Sequence, residues 1–319
     1  MVVRNDKLEG DFRVKFSCWV KRSPMHAARS HFAVASCKEK IYVFGGGGAG
    51  FTSLCSTEIY CPETDVWSKG KDMPTVRSGT VAAVLNNKIY VMGGGLKLPD
   101  GRFQFFRTVE IYDPEIDIWT SGPDMLMPHD YPASVVYNDH IYVIGGHHPD
   151  ATNGGPMTDP GFSFCEVFSL EEAAWHELAP MPEPRFAHSS AVINNKIVVI
   201  GGAGLREEGF RNFDLMESYD PVSNKWSDTG IRLPWPAAGL GALAHNNRLF
   251  IIGGKSDNKI ENRVACLEPG INTWKELEPL KEGRIVMGVV SIGDTIYLLG
   301  GRGPDGKIPI AEVCSLTLL

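Results

Sequence analysis

The 319 residues carry 31 Lys and Arg against 38 Asp and Glu, a formal net charge of -7, and 43% are apolar. No basic tract and no apolar run of about 18 residues occur, which argues against a nucleic-acid surface and a membrane-spanning helix. Met1 to Glu9 is charged and lacks the apolar stretch of a secretory signal, so the expectation is a cytoplasmic protein without membrane contact. Seven Cys, at 18, 37, 55, 61, 165, 266 and 314, are scattered and never spaced C-x-x-C. They read as free thiols, mostly small buried hydrophobes. Gly counts 35 of 319, above the usual level of about 7%, and marks a chain rich in turns.

In chain order, the first strand signal lies at Phe16 to Val20 around Trp19, with no Gly-Gly pair before it. The next, Ile41-Tyr-Val-Phe44, runs into Gly45-Gly46. A later strand carries Tyr60, and a short turn leads to Trp67. This succession then returns. It reads Ile89–Met92, Gly93-Gly94, Tyr112 and Trp119, then Ile141–Ile144, Gly145-Gly146, Phe168 and Trp175. It continues with Ile197–Ile200, Gly201-Gly202, Tyr219 and Trp226, then Leu249–Ile252, Gly253-Gly254, Leu267 and Trp274. The last round has Ile296–Leu299, Gly300-Gly301 and Glu312-Val-Cys-Ser-Leu316. Cys314 takes the aromatic place, and no Trp follows.

The six Gly-Gly pairs are 48, 52, 56, 52 and 47 residues apart. The apolar runs are too short for helices and rich in β-branched and aromatic residues, so they read as strands. Apolar side chains on both faces mark strands buried on both faces. The polar pairs Asn86-Asn87, Asn194-Asn195 and Asn246-Asn247 are hairpin turns. Each round therefore holds four antiparallel strands, a to d.

Rounds of about 50 residues with Gly-Gly, Tyr and Trp in these places resemble kelch repeats. The likeness runs from Trp19 to Leu316. It implies an all-β fold, a six-bladed β-propeller of four-stranded antiparallel blades around a central channel. A lone four-stranded sheet cannot bury both faces, whereas a closed ring of sheets does. Trp19 lacks a Gly-Gly, and Gly300-Gly301 lacks a Trp. Residues 14–20 are therefore expected as the outer strand of the last blade, closing the ring. The expected blades are about 29–68, 77–120, 129–176, 185–227, 237–275 and 284–318, one domain within residues 1–319.

Glu58, Glu110, Glu166, Glu217 and Glu312 stand two before the strand-c aromatic place, and their recurrence reads as structural. Strand parity puts the d-to-a connections and the b-to-c loops on one face. The b-to-c loops are irregular, 14, 18, 22, 17, 13 and 13 residues from the second Gly to the aromatic place. Variable loops on a rigid scaffold are where function concentrates. Sixteen residues before each first Gly stand Arg29, Arg77, His129, Arg185, Ala237 and Arg284. They are expected to start strand a at the channel mouth. Such a rim binds carboxylates; the other reading pairs these residues with the recurrent Glu or with loop carbonyls.

Breaks in the pattern supply the remaining candidates for binding. Tyr131 follows His129 by two. The loop Leu96 to Thr108 holds Arg102, Phe103, Phe105 and Phe106. The longest loop begins His147-His148-Pro-Asp150. Ala203 to Leu215 holds Phe210, Arg211 and Phe213. Trp235, in Pro-Trp-Pro, belongs to no repeat position, and Arg302 follows the last Gly-Gly. Aromatics in such loops either tuck against the blade or anchor a partner.

No nucleophile elbow, zinc-protease motif, P-loop or dinucleotide fingerprint occurs. No catalytic residue, metal ligand or cofactor is assigned. The resemblance implies a protein-interaction module. The expectation is a monomer binding a partner protein or peptide with acidic groups on the loop face, and no nucleic acid. The family also implies an alternative, a carbohydrate-active enzyme such as a sialic acid mutarotase-like epimerase. That chemistry asks for an acid/base pair and a cation for a sugar carboxylate.

Overall fold

Each short apolar run becomes the second strand of a four-stranded antiparallel sheet, and six such sheets form the blades of a propeller. The computed structural model describes residues 18–150, 158–257, 259–268, 270 and 272–318. Blade 1 consists of Ala33–Cys37, Lys40–Gly47, Ser53–Cys61 and Val66–Gly70, strands a to d. Blade 2 has Val81–Leu85, Lys88–Met92, Val109–Asp113 and Ile118–Ser121; blade 3 has Ala133–Tyr137, His140–Ile144, Cys165–Ser169 and Ala174–Glu177. Blade 4 has Ser189–Ile193, Lys196–Ile200, Leu215–Asp220 and Lys225–Arg232; blade 5 has Gly241–His245, Arg248–Ile252, Val264–Leu267 and Trp274–Glu276. Blade 6 takes Gly288–Ile292, Thr295–Leu299 and Val313–Thr317, with Val20–Arg22 as its outer strand.

That last pairing closes the ring between the two ends of the chain. Its position differs from expectation. Of residues 14–20, residues 14–17 lie outside the described residues, and the strand runs over Val20–Arg22, opposite Ser315, Cys314 and Val313. Outer strands elsewhere also continue past their Trp, as Val66–Gly70 does. Strand c of this blade is likewise two residues off the expected register. Leu316 faces Ile296 as Tyr60 faces Ile41, so Leu316 holds the aromatic place and Cys314 faces Leu298. Glu312 therefore does not share the position of the other four glutamates. Without a following Trp, the sequence offered no marker for that register.

Burial explains the two-sided strands. Ile41 and Val43 pack with Tyr297 and Leu299 of blade 6, while Tyr42 and Phe44 pack with Ile89, Val91 and Tyr112 of blade 2. Each fully buried side chain of this size contributes about 1.5–3 kcal/mol. The Gly-Gly pair serves the same junction. Gly45 has φ 56°, and a Cβ there would lie 2.8 Å from the Arg77 carbonyl oxygen of the next blade. The next amide, Gly46 N–H, donates to that carbonyl at 3.0 Å. The arrangement recurs around the ring and ends with Gly301 N–H donating to Arg29 O at 2.8 Å.

The Trp row ties each blade to the connection before it. Trp67, Trp119, Trp175, Trp226 and Trp274 donate their indole N–H to Ser23 O, Lys71 O, Pro123 O, Ala179 O and Arg232 O. Trp19 does the same to Glu278 O, at 3.1 Å, so it is the tryptophan of the last blade. No helix among the described residues is long and apolar enough to cross a membrane.

Candidate functional site

The recurrent cations stand where strand a begins, yet they do not form the rim of the channel. Arg29, Arg77, His129 and Arg185 are fully buried and Arg284 nearly so. Each guanidinium turns sideways into its own blade. Arg77 donates to Gly93 O at 2.9 Å and to Glu110 at 2.8 Å. Arg29 pairs with Glu58, and Arg185 with Glu217. His129 substitutes by placing Nδ1 on Gly145 O (2.6 Å) and Nε2 on Glu166 (3.0 Å). Arg284 reaches Glu312 at 3.0 Å from outside the strand, which leaves that carboxylate 57% exposed. The glutamates also cap the incoming connection: Glu58 accepts from the backbone N–H of His26 and Ala27.

Blade 5 shows the same socket filled differently. Ala237 takes the arginine place, and Ala265 faces Ile251 where Glu58 faces Val43. Trp235 occupies the vacated space and donates to Gly253 O at 3.1 Å, the carbonyl a guanidinium would hold. Trp235 is 3% exposed, so it is a packing residue and not a surface anchor. Sequence alone hides this role, because the substitution that makes room for Trp235, Ala237, lies two residues further on.

The residues that do encircle the axis stand two positions after the buried ring. They are His31, Gly79, Tyr131, Ala187, Gly239 and Val286, and all six have φ between 53° and 68°. This backbone turn lets each donate its amide N–H to the equivalent carbonyl of the preceding blade. Gly79 donates to His31, Tyr131 to Gly79, Ala187 to Tyr131, Gly239 to Ala187, Val286 to Gly239 and His31 to Val286, at 2.7–3.3 Å. The result is a closed belt of six hydrogen bonds.

Above the belt, on the face of the d-to-a connections and b-to-c loops, lies a cavity of about 480 Å³. Phe103, Tyr131, Phe186 and Phe210 supply aromatic wall, and Lys97, Lys255 and Arg302 supply cations. The loops reach it as small hairpins. Gly95–Lys97 pairs with Phe103–Phe105, and Ala203–Arg206 with Gly209–Asn212. Lys97 lies 6.0 Å from the centre of the Phe103 ring, and Lys255 lies 5.5 Å from that of Phe210. Arg302 donates from Nε to Ser30 Oγ at 3.3 Å.

Blade 3 supplies the titrating groups. His147 holds Asp159 through Nδ1 and stacks on Phe186, with ring centres 4.1 Å apart. Asp159 also accepts from the backbone N–H of His148 and Gly161. Burial opposes the charge on His147, but the hydrogen bond to Asp159 and the nearby Asp130 outweigh it and raise its pKa. Asp130 also lines the cavity, and burial pushes its pKa up to about 6. His31 is lowered to about 3 by burial, with Arg302 and His147 adding to the effect. Among the described residues no group of three or more His, Cys, Asp or Glu is placed to hold a metal ion.

Of the candidates read from sequence, Phe103, Tyr131, His147, Phe210 and Arg302 meet at this cavity. The others lie apart. Arg102 is exposed and pairs with Asp100. Phe105 stacks behind His147 at 6.4 Å, and the Phe106 backbone N–H donates to Gly94 O. Phe213 is buried between Arg185 and Arg211. Sequence reasoning missed His31, Asp130, Phe186, Lys97 and Lys255. The available signal was adjacency for three of them: His31 follows Arg29 by two, and Asp130 and Phe186 follow His129 and Arg185 by one.

Comparison with known proteins fits this architecture. Residues 14–202 and 131–301 match the model of the KLHDC2/KLHL20/DRC7 Kelch-repeats domain. The chain belongs to the kelch-repeat family. Alpha-scruin of Limulus polyphemus is 31% identical over 204 residues, 62% of this kelch chain and 22% of that protein. Kelch-like protein 23 of Homo sapiens is 30% identical over 195 residues, 61% of this chain and 32% of that one. The matched stretch thus spans from about a fifth to a third of these relatives' length. The solved structure of YjhT aligns with a TM-score of 0.76 at 16% identity, covering 93% of this kelch chain and 99% of YjhT, a likeness of fold.

Proposed function

We propose that this kelch propeller is a binding module that takes an acidic segment of a partner protein into the mouth cavity. One observation carries the reading. On a chain of net charge -7, the cavity gathers Lys97, Lys255 and Arg302 around aromatic walls, against Asp130. Cations steer and orient an acidic segment, while the rings supply buried area. A fluorescein-labelled decapeptide pool rich in Glu and Phe tests it by anisotropy. Binding should weaken with salt. The Lys97→Ala/Lys255→Ala double variant should bind about tenfold more weakly with an unchanged melting temperature. Equal affinity of the two proteins would remove the site.

A second reading rests on a different observation. Asp130, the His147–Asp159 pair and Tyr131 form an acid/base set beside the same cations. This set suits an epimerase of the sialic acid mutarotase kind acting on a carboxylated sugar. Anomeric exchange of a sialic acid, followed by NMR, should be accelerated by the protein and not by Asp130→Asn. No acceleration would leave the binding module alone.

A further inference from the structure

Where strand b of one blade meets strand c of the next, five of the six junctions carry an aromatic ring. Tyr297 meets Tyr60, Tyr42 meets Tyr112, Tyr90 meets Phe168 and Tyr142 meets Tyr219, with ring centres 5.7–6.3 Å apart. Between blades 5 and 6, Phe250 packs with Leu316. Between blades 4 and 5 the two places hold Val198 and Leu267. Ser218 faces Val198, whereas Ile59, Ile111 and Val167 face Tyr42, Tyr90 and Tyr142. Three side chains are thus cut down at one junction.

A hollow of about 300 Å³ lies there. Val198, Met216 and Leu267 form its apolar wall, and Ser218 and Ser227, whose hydroxyls lie 2.9 Å apart, a polar one. Among the described residues no aromatic side chain lines it. Close-packed interiors hold few voids larger than a water molecule, and this one reaches the size of a small-ligand cleft. Its lining includes Asn194 of the a-to-b turn and Gly270 and Asn272 of the c-to-d turn, so it reaches the face of the short turns, opposite the mouth.

The other junctions show what would fill it. In blades 1, 2 and 4 the strand-c tyrosine donates its hydroxyl to the residue five further on: Tyr60 to Asp65, Tyr112 to Asp117 and Tyr219 to Asn224, at 2.6–2.8 Å. In blade 5 that place is Asn272, which lines the hollow, while Leu267 has no hydroxyl to offer. The junction has kept an acceptor and lost the ring that served it. A ring also suits Met216, since a thioether packs favourably against aromatics.

We propose that the hollow between blades 4 and 5 is a binding site for a small free phenol, its ring held between Val198 and Leu267 and its hydroxyl donated to Asn272. The walls come from two blades and two turns, a pocket shape that fits a free ring rather than a ring carried on a peptide. The site is independent of what occupies the mouth, with which it shares no residue.

p-Cresol is the probe, added to the whole protein carrying ¹³C at its methionine methyls. Met216→Leu identifies the Met216 resonance by its loss. p-Cresol should move that methyl by ring current, in a saturable way, and leave Met25 and Met125, which pack at other junctions, in place. Leu267→Tyr puts the ring of the other blades into the space and should abolish the shift. Val198→Phe fills it from the opposite wall and should do the same, so the test survives if one variant fails to fold. Asn272→Leu should weaken p-cresol binding about tenfold. The Lys97→Ala/Lys255→Ala protein should titrate like the unaltered one; loss of the response there would move the phenol to the mouth and overturn the proposal. So would any of four other results: no saturable shift at Met216; an undiminished shift in a folded protein filled at position 267 or 198; unaltered affinity of Asn272→Leu; or a response to N-acetyltyrosine amide without one to p-cresol, which would give the space to a partner's side chain.

Discussion

Two rings of residues, two positions apart in the chain, surround one axis and obey opposite rules. The ring of Arg29, Arg77, His129, Arg185 and Arg284 repeats its residue type and is buried. The ring of His31, Gly79, Tyr131, Ala187, Gly239 and Val286 repeats its backbone conformation and changes its residue type. The first holds five of the six blades to their entry segments through a glutamate, and blade 5 uses Trp235 instead. The second faces the cavity. Recurrence of a side chain marks scaffold here, and recurrence of a backbone shape beneath varying side chains marks the lining of the cavity.

The largest expected effect breaks the buried ring. Arg77→Ala leaves Glu110 buried without its cation and should cost about 3–5 kcal/mol, read by urea unfolding. Trp235→Ala, which empties the equivalent socket of blade 5, should cost about as much, 3–5 kcal/mol. At temperatures where both stay folded, their affinity for an acidic peptide should match the unaltered protein within about twofold, an energy near 0.4 kcal/mol. Loss of affinity without loss of stability at either position would put the border between scaffold and site in the wrong place.

A smaller effect belongs to the cavity itself. As pH falls, Asp130 takes a proton near pH 6 and loses its charge, and His147, whose pKa is raised, gains one. Asp159 stays ionised, since its hydrogen bonds outweigh burial and lower its pKa, and His31 stays neutral. With Lys97, Lys255 and Arg302 unchanged in charge, the cavity becomes more positive. Affinity for an acidic peptide should rise severalfold from pH 8 to pH 5.5, by calorimetric titration. Asp130→Asn with His147→Gln should flatten that profile, and a profile that stays steep would assign the titration elsewhere.

Much of the architecture was legible because it is written six times. Gly-Gly is demanded by positive φ and by the carbonyl of the next blade, and Trp by a hydrogen bond to the connection before it. Those demands admit few residue types, so they leave a mark in sequence. The register of the last strand left none: Leu316 is as apolar as its neighbours demand, and Glu312 imitated a row to which it does not belong. The site was half legible for the same reason. Phe103, His147, Phe210 and Arg302 stood out as departures, but Asp130 and Phe186 look ordinary until the belt brings them to one opening. The arginines drew the eye to the axis and were two residues early.

The belt has a mechanical meaning as well. Each of its hydrogen bonds joins one blade to the next, and the last, from His31 to Val286, spans the two ends of the ring. A hoop of this kind cannot open at one point without loading the rest. The aperture is thus a fixed gauge, set by backbone alone. A change of side chain at His31, Tyr131, Ala187 or Val286 alters what lines the opening while the backbone belt stays, whereas a Cβ at Gly79 would run into Asp130 Oδ1 and one at Gly239 would lie 2.7 Å from Ile285 Cγ1. Side chains at those four positions can therefore vary without reopening the question of how the ring closes.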